Sequence, residues 1–217
     1  MSNGWNPVSE TGNDESVVVN DCDINMSRVN PNILVTGTPG VGKTRFASVL
    51  KKHLNHVKVI NVGDFAKDNN LLGDWDEKYQ SHEMKEEELL DALETVVGQG
   101  DGGVVVEHHD PDLFPERWFD LVLVLRCNNS LLYERLTSRG YSGTKLEDNL
   151  SAEIFQTILD EARESYREEI VIELQSESEE DLEMNAARVV QWEQNWREDR
   201  NKVRPGKRRA EERIERD

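Results

Sequence analysis

Apolar residues fall along this chain in short, dense runs: Ile33-Leu34-Val35, Val57 to Ile60, Val104 to Val106, Leu121 to Leu125 and Ile170 to Ile172. Each is brief and rich in branched side chains, the pattern of strands buried on both faces of a parallel sheet. Between them the apolar positions change to helical spacing. Phe46, Val49, Leu50 and Leu54 share one helical face, Leu89, Leu90, Leu93, Val96 and Val97 a second, and Ile154, Phe155, Ile158 and Leu159 a third. Strands alternating with crossover helices predict an α/β fold with about five parallel strands flanked by helices. Leu182, Val189, Val190, Trp192 and Trp196 predict one last amphipathic helix packed on the domain.

At both ends the pattern fails. Residues 1–30 are rich in Asn, Ser, Asp and Glu and offer little to bury, which predicts a disordered leader. The folded domain is expected over residues 31–196. Residues 197–217 then form a charged tail whose basic centre, Lys202, Arg204, Lys207, Arg208 and Arg209, surrounds Pro205-Gly206. Such a stretch reads either as a solvated tail or as an RNA contact or nuclear address.

Composition narrows the classes of partner. The 217 residues carry a formal charge of −18, from 44 acidic and 26 basic side chains. That disfavours adhesion of the whole surface to nucleic acid or anionic membrane, so any RNA contact is expected to use a local basic patch, for which the basic tail is the candidate. No window approaches the roughly 18 apolar residues of a membrane span, and a soluble, intracellular protein without a membrane partner is expected. Cys22 and Cys127 suggest neither a disulfide framework nor a metal knuckle. Acidic runs at Glu86 to Glu88 and Glu179 to Asp181 read either as docking faces for a basic partner or as solvated surface.

The chemistry concentrates after the first predicted strand. Gly37-Thr38-Pro39-Gly40-Val41-Gly42-Lys43-Thr44 has the P-loop spacing and lies between a predicted strand and a predicted helix. Glycines let successive backbone N–H groups turn inward on phosphate oxygens, and the positive end of the following helix adds its field. Lys43 is placed to reach the β- and γ-phosphates of ATP, and Thr44 to hold Mg2+ through its hydroxyl. A second segment, Val104-Val105-Val106-Glu107-His108-His109-Asp110, ends an apolar strand in a carboxylate. Glu107 is the candidate for orienting the metal or its water; if the extended geometry persists, His109 points from the same strand end toward the phosphates, where it reads either as the group that orients or deprotonates a nucleophile or as a surface loop histidine, and His108 is expected to face the other way. Asp112 reads as a supporting acid or as a turn residue. Arg135 and Arg139 follow the fourth strand, where a guanidinium braces phosphates or stacks on a base, although a lone helical Arg is as often a solvated side chain.

Asn32-Ile33-Leu34-Val35-Thr36, Ile60-Asn61-Val62-Gly63-Asp64, Phe114-Pro115-Glu116-Arg117-Trp118-Phe119, Tyr133-Glu134-Arg135-Leu136, Arg139-Gly140-Tyr141 and Glu153-Ile154-Phe155-Gln156 together carry a signature. It resembles that of the adenylate kinase isoenzyme 6 family. The resemblance implies an adenylate-kinase-like P-loop NTPase core, with a monophosphate-binding region at residues 61–84 and a short lid at 138–148. It implies transfer of phosphate from ATP to AMP or other monophosphates, ATP hydrolysis in the same site, and work with a small-subunit ribosomal protein on the pre-ribosomal particle. A monomer found in the nucleus and cytoplasm is expected.

Carried over residue by residue, the resemblance assigns ATP to Gly37, Gly40, Gly42, Lys43, Thr44 and Arg45, with Arg139 as the lid contact. It assigns the monophosphate to Asp64, Lys67 and Arg135. Two positions depart from the family pattern: Glu107 stands for Asp and Lys67 for an Arg. The kinase and the ATP-driven assembly factor remain the two functional alternatives.

Overall fold

Strand β1 (Ile33–Thr36) is buried on both faces and occupies the centre of the sheet. The computed structural model describes residues 28–77, 81–98 and 100–203. The leader up to residue 27, with Cys22, and the basic stretch from Arg204 onward lie outside the described residues. Around β1 stand β2 (Lys58–Asn61), β5 (Val104–Glu107), β6 (Leu121–Arg126) and β7 (Val171–Gln175), in the order β2-β5-β1-β6-β7 with every pairing parallel. The five predicted runs are these five strands.

From β1 the chain goes on to β2 on one side of the sheet, whereas from the neighbouring β5 it crosses to β6 on the other, and this reversal opens a crevice at the carboxyl ends of the central strands. Side chains alternate across the sheet. Ile33 and Val35 pack with Phe46 and Leu50 of α1 (Lys43–His53) and with Leu182 and Val189 of the last helix. Leu34 and Val106 face the other way, against Ala66 of α2 (Val62–Asp68) and Leu89 and Leu93 of α3 (Glu86–Leu93). Each of these Val, Leu, Ile and Phe side chains, when fully buried, contributes about 1.5–3 kcal/mol. Burial on both faces is why the strands read as apolar runs rather than alternating ones.

Five local features depart from the sequence reading. Between α2 and α3 lies an antiparallel hairpin of β3 (Leu72–Asp76) and β4 (Ser81–Met84), whose polar strands gave no apolar signal. After α4 (Asn129–Ser138), helix α5 (Gly143–Ile154) extends beyond the expected lid and stops where Gln156 adopts φ 60°. The chain reorients there into α6 (Thr157–Ser165), so Ile154 and Phe155 are exposed, Leu159 is buried, and the expected shared face does not form.

The last helix, α7 (Glu179–Val203), runs past Trp196, since no Gly or Pro interrupts it there. Its later turns are anchored: the Arg200 guanidinium lies 4.2 Å from the Trp196 ring centroid and 3.6 Å from Asp120. The amino-terminal boundary also moves. Arg28, assigned to the leader, is buried, donating from Nη1 to the Trp118 carbonyl at 2.9 Å and to Asp120 Oδ2 at 3.0 Å. Composition cannot foresee a charge whose partner lies far along the chain.

The two acidic runs begin helices. Glu86 to Glu88 fill the first turn of α3, and Glu179 to Asp181 that of α7, where negative charge offsets the helix dipole. Asp181 accepts from the backbone amides of Ser178 and Glu177, which hold its carboxyl below the usual range. No described helix is long and apolar enough to cross a membrane.

Candidate nucleotide-binding site

The loop between β1 and α1 is shaped by its glycines. Gly37 has φ 134°, and a Cβ there would sit 2.4 Å from the Leu125 carbonyl oxygen, so the loop passes β6 more closely than any side chain permits. Gly42 caps α1 in the left-handed conformation, aiming the first turn of the helix into the crevice. From outside, the loop is braced at Val41, whose carbonyl accepts from Ser176 Oγ at 2.7 Å and from Arg135 Nη1 at 3.2 Å.

Two cavities meet over this loop and share Gly40, Lys43, Thr44, Glu107 and Arg139. The larger, about 670 Å³, extends past His108 and His109 to Asn61, Gly63, Ser81 and Met84, and is roofed by Tyr141, Lys145 and Asn149 around α5. The smaller, about 580 Å³, runs along α1 past Arg45 and Ser48. Arg45 also pairs with Glu179 at 2.6 Å.

Lys43 Nζ donates to the carbonyls of Gly37 at 2.7 Å and Thr38 at 3.2 Å. Burial depresses its pKa to about 8, Glu107 working against the shift and Arg139 with it. Thr44 Oγ1 donates to Glu107 Oε1 at 2.5 Å. The register sets this meeting, because Glu107 lies between Val35 of β1 and Asn61 of β2. A hydroxyl and a carboxylate beside a phosphate cradle suit Mg2+, a hard cation that takes few protein oxygens and completes its shell with water and substrate phosphates.

Both histidines line the larger cavity, their ring centroids 4.4 Å apart, which corrects the expected opposite orientation of His108. Strand pairing ends where the His108 amide donates to the Val35 carbonyl at 3.1 Å; beyond it the chain bends and side-chain alternation lapses. Burial lowers the His108 pKa to about 3, assisted by His109 and Lys43, and burial together with Lys43 lowers that of His109 to about 4. At neutral pH both imidazoles are uncharged, able to accept hydrogen bonds.

Other expected residues stand elsewhere. Arg135 does not reach the cavity: its guanidinium is spent on the carbonyls of Val41, Ser176 and Glu177. Asp64 and Lys67 lie on the exposed side of α2 and do not line the cavity, while Asn61 and Gly63 do. Asp112 also lies off the cavity lining and hydrogen-bonds Asp110, whose carboxyl is pushed up to about 7 by burial and that bond. Glu153 went unassigned in the sequence, yet it is buried and accepts a hydrogen bond from Thr38 of the loop. Its only signal was membership of the Glu153-Ile154-Phe155-Gln156 block.

A triphosphate beside Lys43 raises the pKa of the ammonium from its depressed value. ATP affinity is therefore expected to weaken as pH rises through about 8, and binding near that pH to take up protons. Calorimetric titrations in two buffers of different ionisation enthalpy measure this. Identical heats would show that Lys43 does not change protonation on binding.

A family model described as an AAA domain matches residues 33–156. The chain is 49% identical over 171 residues to the adenylate kinase isoenzyme 6 homolog FAP7 of Saccharomyces cerevisiae, covering 79% of this chain and 86% of that one. A Caenorhabditis elegans homolog of the same isoenzyme is 50% identical over 165 residues, 76% of this chain and 90% of the relative. Among solved structures, the tunicamycin resistance protein of Deinococcus radiodurans superposes with a TM-score of 0.52 at 19% identity, covering 75% of this chain and 95% of that one, a likeness of fold alone.

Proposed function

The chain belongs to the adenylate kinase isoenzyme 6 family, and from that premise we propose that it transfers the γ-phosphoryl group of ATP to AMP, with ATP hydrolysis as a second outcome of the same site. The observation that carries this reading is the convergence of Lys43, Thr44, Glu107 and Arg139 on the phosphate loop, beside a cavity that continues to Asn61, Gly63 and Ser81 and so supports a place for an acceptor next to the phosphates. In transfer, a monophosphate oxygen bonds to the γ-phosphorus while the bond from that phosphorus to the β–γ bridging oxygen breaks, leaving two ADP. Little covalent chemistry falls to the protein; its work is alignment and charge neutralisation. Lys43 exchanges its loop carbonyls for phosphate oxygens, and Arg139 adds charge from the lid side. Thr44 and Glu107 would hold magnesium, and the ion would supply neutralisation of charge on the transferring group.

The neutral His109 favours the second outcome. Its imidazole can orient a water in the larger cavity by accepting a hydrogen bond from it, which would make the protein an ATP-driven assembly factor with little physiological kinase activity. Under that reading its partners are a small-subunit ribosomal protein and the pre-ribosomal particle, in nucleus and cytoplasm. The charge of −18 suits such a basic partner.

Product analysis with magnesium and ATP, with and without AMP, separates the two. The kinase predicts ADP formation that requires AMP, two ADP appearing for each ATP consumed. His109→Ala is expected to lower phosphate release on the order of a hundredfold while AMP phosphorylation falls much less. Phosphate release that ignores AMP and vanishes in the variant would instead make hydrolysis the main task.

A further inference from the structure

Helix α5 roofs the larger cavity with Lys145, Asp148, Asn149 and Ala152, residues at helical spacing on one face. Its two ends are held differently. At the start, Gly140 and Gly143 both have positive φ, and nothing lies within 4 Å of where either would carry a Cβ. At the finish, Glu153 is 2% exposed and its carboxylate accepts three hydrogen bonds, from Thr38 Oγ1 at 2.5 Å, Arg126 Nε at 2.7 Å and the Cys127 amide at 3.2 Å. Arg126 Nη2 also donates to the Glu153 carbonyl at 2.8 Å.

Burying a carboxylate is costly unless its lone pairs are satisfied, and the pairing with Arg126 and Cys127 supplies that on one oxygen. The other oxygen is given to Thr38, a residue of the phosphate loop. Thr38 in turn holds Lys43 Nζ through its carbonyl at 3.2 Å. An unbroken series of polar contacts thus runs from the phosphate-seeking ammonium through Thr38 to the anchored end of the lid helix.

We propose that Glu153 is a positioning residue that couples the phosphate loop to the lid, so that withdrawal of Lys43 onto a bound triphosphate is passed through Thr38 to α5. The inference rests on the ATP reading of the site. Phosphate occupancy then draws α5 over the nucleotide, and the glycine-flanked start of the helix takes up the movement. Without the Thr38–Glu153 contact, ATP still binds the loop but no longer orders the lid.

Limited trypsin digestion of the full chain, with cleavage after Arg139 and Lys145 followed by mass, reads the lid; calorimetry with Mg·ATP reads binding. In the wild type, saturating Mg·ATP is expected to slow these cleavages about tenfold. Thr38→Val and Glu153→Gln are each expected to bind ATP but to lose most of that protection, and Thr38→Ser to regain it. A contribution to stability alone would not separate binding from protection in this way. Protection undiminished in both ATP-binding variants, or absent in an ATP-binding wild type, overturns the coupling and leaves the kinase reading intact. A wild type that binds no ATP overturns both, and calorimetry distinguishes that case.

Discussion

Lys43→Met is expected to reduce kcat/KM for phosphoryl transfer by at least about a thousandfold, the scale on which a preorganised charge at a transferring phosphoryl group acts. The chain itself is expected to stay folded and to melt slightly higher. In the empty site the Lys43 ammonium is desolvated, its pKa is depressed to about 8, and its hydrogen bonds go to the Gly37 and Thr38 carbonyls. An apolar side chain of similar length avoids that desolvation, so the residue serves chemistry at some cost to stability. Steady-state kinetics and a melting curve on the same preparation measure both effects. Activity within tenfold of the wild type would falsify the assignment of this loop as the reacting centre. On the proposed reading ATP hydrolysis is expected to fall with transfer, because both would draw on the same ammonium.

The second large effect concerns stability. Arg28→Ala is expected to cost about 3–5 kcal/mol, the penalty for removing one partner of a buried ion pair, and to lower the melting temperature by roughly 10 °C. Arg28 donates to Asp120 and to the carbonyls of Trp118 and Arg117, and the Asn32 amide meets the same Asp120 oxygen at 2.9 Å. Burial already holds the Asp120 carboxyl above its usual range, against the Asn32 amide, Arg28 and Arg200. Without Arg28 that rise grows. A folded-state pKa above the unfolded one means that the folded state binds more protons, so the deficit narrows on acidification and widens toward neutral pH. Urea titrations of both proteins across that range measure it; equal stability would place Arg28 outside the fold.

The sheet and the phosphate loop were legible because both depend on local pattern. Runs such as Val104 to Val106 announce a strand buried on two faces, and glycines spaced before Lys43-Thr44 announce a loop that must approach phosphate closely. Glu107 was legible for the same reason, as the polar end of an apolar run. What escaped is what side chains do across long sequence separations. Arg135 has the look of a phosphate ligand but is occupied by three carbonyls. Asn32 sits at the start of β1 as an unremarkable amide, yet it donates to the Val97 and Trp118 carbonyls and accepts from the Val104 amide. His108 broke the alternation rule because the strand ended one residue before it. In each case the partner is named only once the chain has folded.

Asp120 gathers more than a buried arginine. Arg28, near the beginning of the described domain, and Arg200, in the final turns of α7, reach the two oxygens of this one carboxylate, at 3.0 and 3.6 Å. The domain is therefore close to a ring in everything but covalent connection, fastened where a tether joining its ends would be short. Pulling on either end of the described domain loads the same clasp.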